Sequence, residues 1–177
     1  LCQVAYRYHG ITRDELFKPP VPIKLTASAI NHITNKMVEN RPAFGRSSAK
    51  DELLRFSAEG AIFVAHNAAF DLSMLAKEGV TFPLSICTLK VARHIDTEGK
   101  FENHTLQYLR YYYGLEVEAT AHDALGDIIV LEAVFEKLLN EVITRFKFSS
   151  REDAYMHMIR LSALPAIQTH SRFGKYR

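Results

Sequence analysis

Ala61-Ile62-Phe63-Val64-Ala65-His66-Asn67-Ala68-Ala69-Phe70-Asp71 is the stretch whose pattern sets the fold class. Five apolar residues, closed by Gly60 on one side and by His66-Asn67 on the other, read as a short buried central strand. Ala68 to Lys77 then reads as a helix, which places the polar pair at the carboxyl end of a strand, where α/β proteins form their sites. Asp71 falls in the first helical turn, where the macrodipole favours a carboxylate. A helix-stabilising charge and a functional group explain it equally well at this point.

Outward from this stretch, Leu1 to Tyr8 is rich in residues that suit a half-buried pleat, and His9-Gly10 supplies a turn into a second extended piece near Glu15 to Phe17. The pair reads as a hairpin. Pro19-Pro20-Val21-Pro22 forbids a regular ladder and reads as a loop. Thr26 to Ile30 and Lys50 to Ala58 read as surface helices, the second with Leu53, Leu54 and Phe56 on one face. Ser85 to Thr88 reads as a strand, Leu106 to Tyr113 as a helix, and Ala124 to Val142 as a long helix with Ile128, Leu131, Val134, Phe135, Leu138 and Leu139 inward. Strands come early and helices alternate with them later, which predicts an α/β sandwich with a mixed sheet. Residues 146–177 are less apolar and read as a helical connector ending in Phe173-Gly174-Lys175-Tyr176-Arg177.

Composition narrows the class. The 177 residues are 47% hydrophobic and 24% charged, enough to bury one core and unlike a disordered chain. No apolar run approaches the roughly 18 residues of a membrane span, so no membrane partner is expected. Lys plus Arg number 22 against 20 Asp plus Glu, so whole-molecule charge makes no case for a polyanionic partner. Two cysteines, Cys2 and Cys87, are too few for a disulfide framework, and a reducing cytoplasm is the expected setting.

A second polar constellation is Ala121-His122-Asp123-Ala124-Leu125-Gly126-Asp127. On one continuous helix His122 and Asp127 would lie about 140° apart, so His122 is expected to precede the helix. A loop imidazole beside a helix carboxylate can serve as a general base next to a metal ligand. The plainer alternative is an N-cap by Asp123 with His122 incidental. Gly126 weighs against it, because a glycine inside a helix costs about 1 kcal/mol relative to alanine and more often marks a close approach.

Taken in order, His66-Asn67-Ala68-Ala69-Phe70-Asp71 and the His122, four residues, Asp127 pattern resemble the second and third motifs of the DEDDh family of 3′→5′ exonucleases. Ile86 to Arg93 and Asn103 to Leu109 are similar to that family's linking strand and next helix, and Ile30 to Val38 is similar to the segment preceding its substrate cleft. The likeness covers about residues 1–145, is greatest to the exonuclease X and DNA polymerase III epsilon branches, and makes Phe173 to Arg177 resemble the start of a small module that follows exonuclease X-like domains.

The resemblance implies a ribonuclease H-like three-layer sandwich, a central mixed β-sheet flanked by helices. Residues 1–145 would be the exonuclease domain, and 146–177 a helical connector with the start of a truncated C-terminal module. It further implies two-metal phosphodiester hydrolysis with Mg2+ or Mn2+, two ions, releasing nucleoside 5′-monophosphates from DNA in preference to RNA. Asp127 and Asp71 would hold metal, and His122 would take the proton from the attacking water. Asn67 and Phe70 would line the cleft, with Ile33 and Thr34 near the terminal nucleoside, although each also suits structural packing. Implied partners are single-stranded nucleic acid or DNA 3′ ends, with a polymerase or a C-terminal accessory module, in replication or repair.

One departure stands out. The family's first motif, Asp-x-Glu on the first strand, lies just before the stretch matched by Leu1 to Tyr8 and is absent from this chain, and Asp14-Glu15 lacks the intervening residue and falls after the strand. The expectation is a chain that begins downstream of that motif and cuts poorly by itself, since two cations would have too few carboxylates. A rival from another class is an inactive module of the same fold that grips single-stranded ends, and a third reading is an α/β domain with accidental matches. The residues encoded before Leu1 separate the first two readings.

Overall fold

The computed structural model describes residues 1–117 and 124–165. The sequence readings for His122, Asp123 and Phe173 to Arg177 fall outside those residues. The chain is α/β and divides into two compact units, one drawn from within Leu1–Ala61, Leu72–Pro83 and Glu118–Ile129, the other from within Ile62–Asp71, Leu84–Val117 and Val130–Arg177.

In the first unit, β1 (Gln3–Tyr8) and β2 (Ile11–Leu16) pair antiparallel in the register Gln3↔Leu16 to Tyr8↔Ile11. The turn residues His9 and Gly10 both adopt positive φ, 45° and 81°, the geometry whose twist matches a two-residue hairpin. Short helices α1 (Leu25–Asn31) and α2 (Asn35–Val38) follow the proline-rich loop, then a 3-10 turn at Phe44–Arg46 and α3 (Ser48–Ala58). Ser47 caps α3 by accepting from the Lys50 N–H. Ala49, Leu53 and Phe56 form the buried stripe of α3, whereas Leu54 is exposed. The spacing 49, 53, 56 follows one helical face, and Leu54 falls a full step of about 100° off it, which corrects the expected stripe.

Hairpin and helix are joined by aromatic and charged contacts. Tyr6 meets Phe56 edge-on at 5.9 Å between ring centroids, and Tyr8 meets it at 4.3 Å. The Tyr6 hydroxyl donates to Glu52 Oε2 at 2.5 Å, and the Arg13 guanidinium donates to both oxygens of the same carboxylate. Those two donors, the tyrosine first, hold the Glu52 carboxyl below its ordinary value.

The second unit is built on β3 (Phe63–Ala65) and β4 (Ser85–Cys87), paired parallel with Ala65 opposite Cys87. The expected strand from Ala61 is shorter because the Ala61 N–H bonds back to Phe56 O at 3.0 Å. Thr88 belongs not to a strand but to α5 (Thr88–Ile95), whose buried Thr88, Val91, Ala92 and Ile95 recur at helical spacing. Helix α4 (Ala68–Lys77) occupies the expected span, α6 covers Leu106–Tyr112, and α7 runs Ala124–Phe146, one turn past the expected end. The fully buried stripe of α7 is Val130, Val134, Leu138, Leu139 and Val142, while Ile128, Leu131 and Phe135 are half-buried.

Helix α8 (Arg151–Ala163), capped by Ser150, buries Ala154, Met158 and Leu161 and packs on β4 and α5. Its Ser162 hydroxyl accepts from the Cys87 N–H and donates to Met158 O, both at 2.8 Å, which satisfies a backbone donor at the end of β4. Among the described residues the strands form two separate two-stranded sheets, β1 with β2 antiparallel and β3 with β4 parallel. Cys2 and Cys87 are free thiols, and no described helix is long and apolar enough to cross a membrane.

Candidate active site

The candidate site grows from the exit of β3. Asn67 takes a left-handed conformation, φ 69°, which asparagine tolerates better than most residues. That kink turns the chain from strand into helix, and the Phe70 N–H closes the first turn on Asn67 O at 2.9 Å. Asn67 and Phe70 both end up exposed, the Phe70 side chain at 63%, which leaves an aromatic face and an amide accessible beside Asp71.

Asp71 sits in the first turn of α4, half-buried. Burial pushes its carboxyl above the ordinary value, its own backbone N–H only partly opposes this, and no basic side chain among the described residues contributes. A desolvated carboxylate without a cationic neighbour has the donor chemistry a hard divalent cation takes. Asp127 is likewise in a first turn, that of α7, half-buried and one residue from the buried Gly126. Asp71 and Asp127 belong to different compact units, and among the described residues no three His, Cys, Asp or Glu side chains cluster as a metal site.

His66 has a different fate. Its Nδ1 lies 3.0 Å from Thr88 Oγ1, and that hydroxyl donates its single proton to Ala65 O at 3.3 Å. The ring and Ala65 O thus share the Thr88 hydroxyl, and burial keeps the imidazole neutral. His66 follows β3 and Thr88 follows β4, so the bond extends the parallel pairing by one side-chain rung. Burial pushes the His66 pKa down to about 4, while the His104 main chain, which favours the charged form, offsets part of this. Nε2 is buried without a hydrogen-bond partner.

Ile33 and Thr34 carry structural duties in the first unit. Ile33 is 4% exposed, and Thr34 Oγ1 accepts the Met37 N–H at 3.3 Å as the N-cap of α2. Asp96-Thr97-Glu98 has the Asp-x-Glu spelling, but Asp96 is buried and accepts from the Lys100 N–H at 2.6 Å, the Phe101 N–H at 3.2 Å and His104 Nε2 at 3.1 Å. Its oxygens are committed to a loop clamp, so it does not replace the missing first-strand pair. The tie from His66 to Thr88 and the Asp96 clamp are features the sequence reading did not include.

Comparison with known proteins places this geometry. A family model described as Exonuclease matches residues 4–135. The DNA polymerase III subunit epsilon-like protein of Rhodobacter capsulatus is 32% identical over 138 residues, 75% of this chain and 19% of that protein. Exodeoxyribonuclease 10 of Escherichia coli is 28% identical over 168 residues, 93% of this chain and 67% of that protein. The DNA polymerase III subunit epsilon of Treponema pallidum is 33% identical over 135 residues, 70% of this chain and 59% of that protein. The chain thus spans about a fifth of the first relative and about two thirds of the second. Among solved structures, exonuclease X in complex with 5′ overhanging duplex DNA superposes with a TM-score of 0.61 at 22% identity, over 90% of this chain and 88% of that one. That likeness shows a shared fold, the ribonuclease H-like α/β arrangement expected from the motifs. With the family model running across both motif segments, the chain belongs to the exonuclease family.

Proposed function

We propose that this chain carries the 3′→5′ exonuclease domain of a protein that trims DNA in preference to RNA and releases nucleoside 5′-monophosphates. The observation that carries the reading is Asp71, a half-buried first-turn carboxylate whose desolvation no basic side chain among the described residues offsets, in a chain of the exonuclease family. Asp71 and Asp127 would each contribute a ligand to the divalent cations, magnesium or manganese, which when bound neutralise charge on the scissile phosphate and make water more acidic. The exposed Phe70 ring would stack on the terminal base and the Asn67 amide would bond the terminal nucleotide, with Ile33 and Thr34 shaping the approach.

His122 would accept the proton of the attacking water. The water oxygen bonds to phosphorus, the bond from phosphorus to the 3′ oxygen breaks, and the shortened strand leaves with a new 3′-hydroxyl. A polymerase or a C-terminal accessory module reached through residues 146–177 would be the protein partner, and the cytoplasm the setting. Relatives named for DNA polymerase III epsilon and for exodeoxyribonuclease 10 support this direction.

The test is a single DNA strand labelled at its 5′ end, incubated with the full-length protein and magnesium or manganese, with EDTA as the control. A ladder shortening from the 3′ end and 5′-monophosphates in the product support the reading. Early release of the 5′ label, or retention of the strand without cutting, contradicts it.

A further inference from the structure

The near-even charge of the whole chain conceals a segregation. Residues 17–50 contain Lys18, Lys24, Lys36, Arg41, Arg46 and Lys50 against a single carboxylate, Glu39, whereas the remaining residues contain 16 basic and 19 acidic side chains. All six cations belong to the first unit, and every one except the half-buried Lys50 is exposed. Among the described residues none of the six forms an ion pair, while Arg13, Arg55, Lys100 and Arg151 are each paired with a glutamate. Unpaired like charges on one segment repel each other, so the arrangement is complementary to an anion.

The same segment also exposes apolar side chains. Helix α1 buries no residue, and Leu25, Ile30 and Val21 are 87%, 69% and 67% exposed. A groove of about 690 Å3 runs between Lys18, Pro20 and Val21 on one wall and Asn35, Lys36 and Glu39 on the other. Its walls are held in place. The Asn35 amide accepts from the Ile23 N–H at 2.7 Å and donates to Ile23 O at 3.0 Å, and the Lys18 N–H bonds Pro42 O at 2.9 Å. Three prolines between positions 19 and 22 remove backbone freedom that binding would otherwise have to freeze.

We propose that this face of the first unit binds a single strand of nucleic acid, with phosphates at Lys18, Lys24 and Lys36 and bases against Val21 and Leu25. An extended polyanion fits because the cations are spread along 33 residues of sequence, from Lys18 to Lys50, and interleaved with apolar side chains. The choice of nucleic acid rests on the exonuclease reading above.

The experiment is fluorescence anisotropy of a labelled 20-nucleotide thymidine strand with the 177-residue chain in EDTA, so that no cleavage intervenes, across a salt series. Lys18→Glu, Lys24→Glu and Lys36→Glu together should weaken binding at least tenfold and lower the salt slope by about 2, because each phosphate neutralised on a single strand contributes roughly 0.7. A control triple, Lys77→Glu, Lys137→Glu and Lys147→Glu, changes net charge equally at exposed positions elsewhere and should stay within about threefold of the parent at moderate salt. Lys18→Gln, Lys24→Gln and Lys36→Gln, which add no repulsion, should preserve the ranking. Equal losses in the two glutamate triples, an unchanged face variant, or displacement of the strand by polyglutamate of equal charge would overturn the proposal. Product formation by the full-length protein with metal scores the exonuclease reading separately: location-dependent binding without product there removes that reading and keeps the face, and product with location-independent binding does the reverse.

Discussion

The spacing His, four residues, Asp occurs at both segments that carry the candidate chemistry, His66 to Asp71 and His122 to Asp127. In each the aspartate lies in the first turn of a helix. The histidines part company. His66 is tied through Nδ1 to Thr88 and its Nε2 is buried, which makes it a rung between two strand ends. On the proposed function the proton would instead go to His122. Under that proposal identical residue types at identical spacing would do different work, with the bond to Thr88 setting the structural part played by His66.

The largest expected effect probes the aspartates. In the full-length protein, Asp127→Asn or Asp71→Asn should lower kcat by about 10³-fold or more, because a cation supplies several kcal/mol of charge stabilisation in the transition state. Asp123→Asn should change it only a few-fold, although Asp123 is the immediate neighbour of His122. Steady-state rates at saturating metal decide this, and equal losses at Asp123 and Asp127 would break the alignment of the second segment.

Next in size is the pH dependence of stability that His66 confers. Its folded pKa of about 4 lies below the ordinary 6.5, so between those values the native state binds fewer protons than the unfolded chain. The contribution, at most about 3 kcal/mol, is complete above pH 6.5 and is lost as pH falls through the window toward 4. His66→Gln should flatten that limb of a Tm-against-pH curve while costing about 1–2 kcal/mol at neutral pH through the weakened bond to Thr88. An unchanged limb would mean the histidine is not held as described.

The smallest effect separates stability from function at Asp71. Its carboxyl is raised by burial, so the metal-free protein loses stability as pH rises through that titration, and Asp71→Asn should raise Tm slightly in EDTA. Magnesium or manganese should raise Tm in the parent in proportion to occupancy and much less in the variant. A Tm that falls in Asp71→Asn without metal would show the carboxylate to be a structural charge.

Local chemistry made much of this visible in the sequence. His9-Gly10 announces the hairpin turn, and the span of α4 follows from the apolar run ending at Ala65 and the polar pair after it. The tie from His66 to Thr88 is not legible, because it depends on the register Ala65↔Cys87 bringing together residues 22 apart. Helix α5 hides behind a β-branched start at Thr88, although 88, 91, 92 and 95 keep a helical period. Helix α8 buries only three apolar side chains among charged neighbours and gives little contrast. The basic segment 17–50 is written in the sequence but vanishes when charge is averaged over the chain.

The division of labour between the two histidines is tested most directly by kcat at saturating metal for His122→Gln and His66→Gln, measured side by side in the full-length protein below the melting temperature of each. A general base contributes about 10²–10⁴-fold, so the His122 variant should lose that much while the His66 variant stays within about tenfold of the parent. A near-normal rate for His122→Gln, or a loss in His66→Gln as large as that in His122→Gln, would contradict the account.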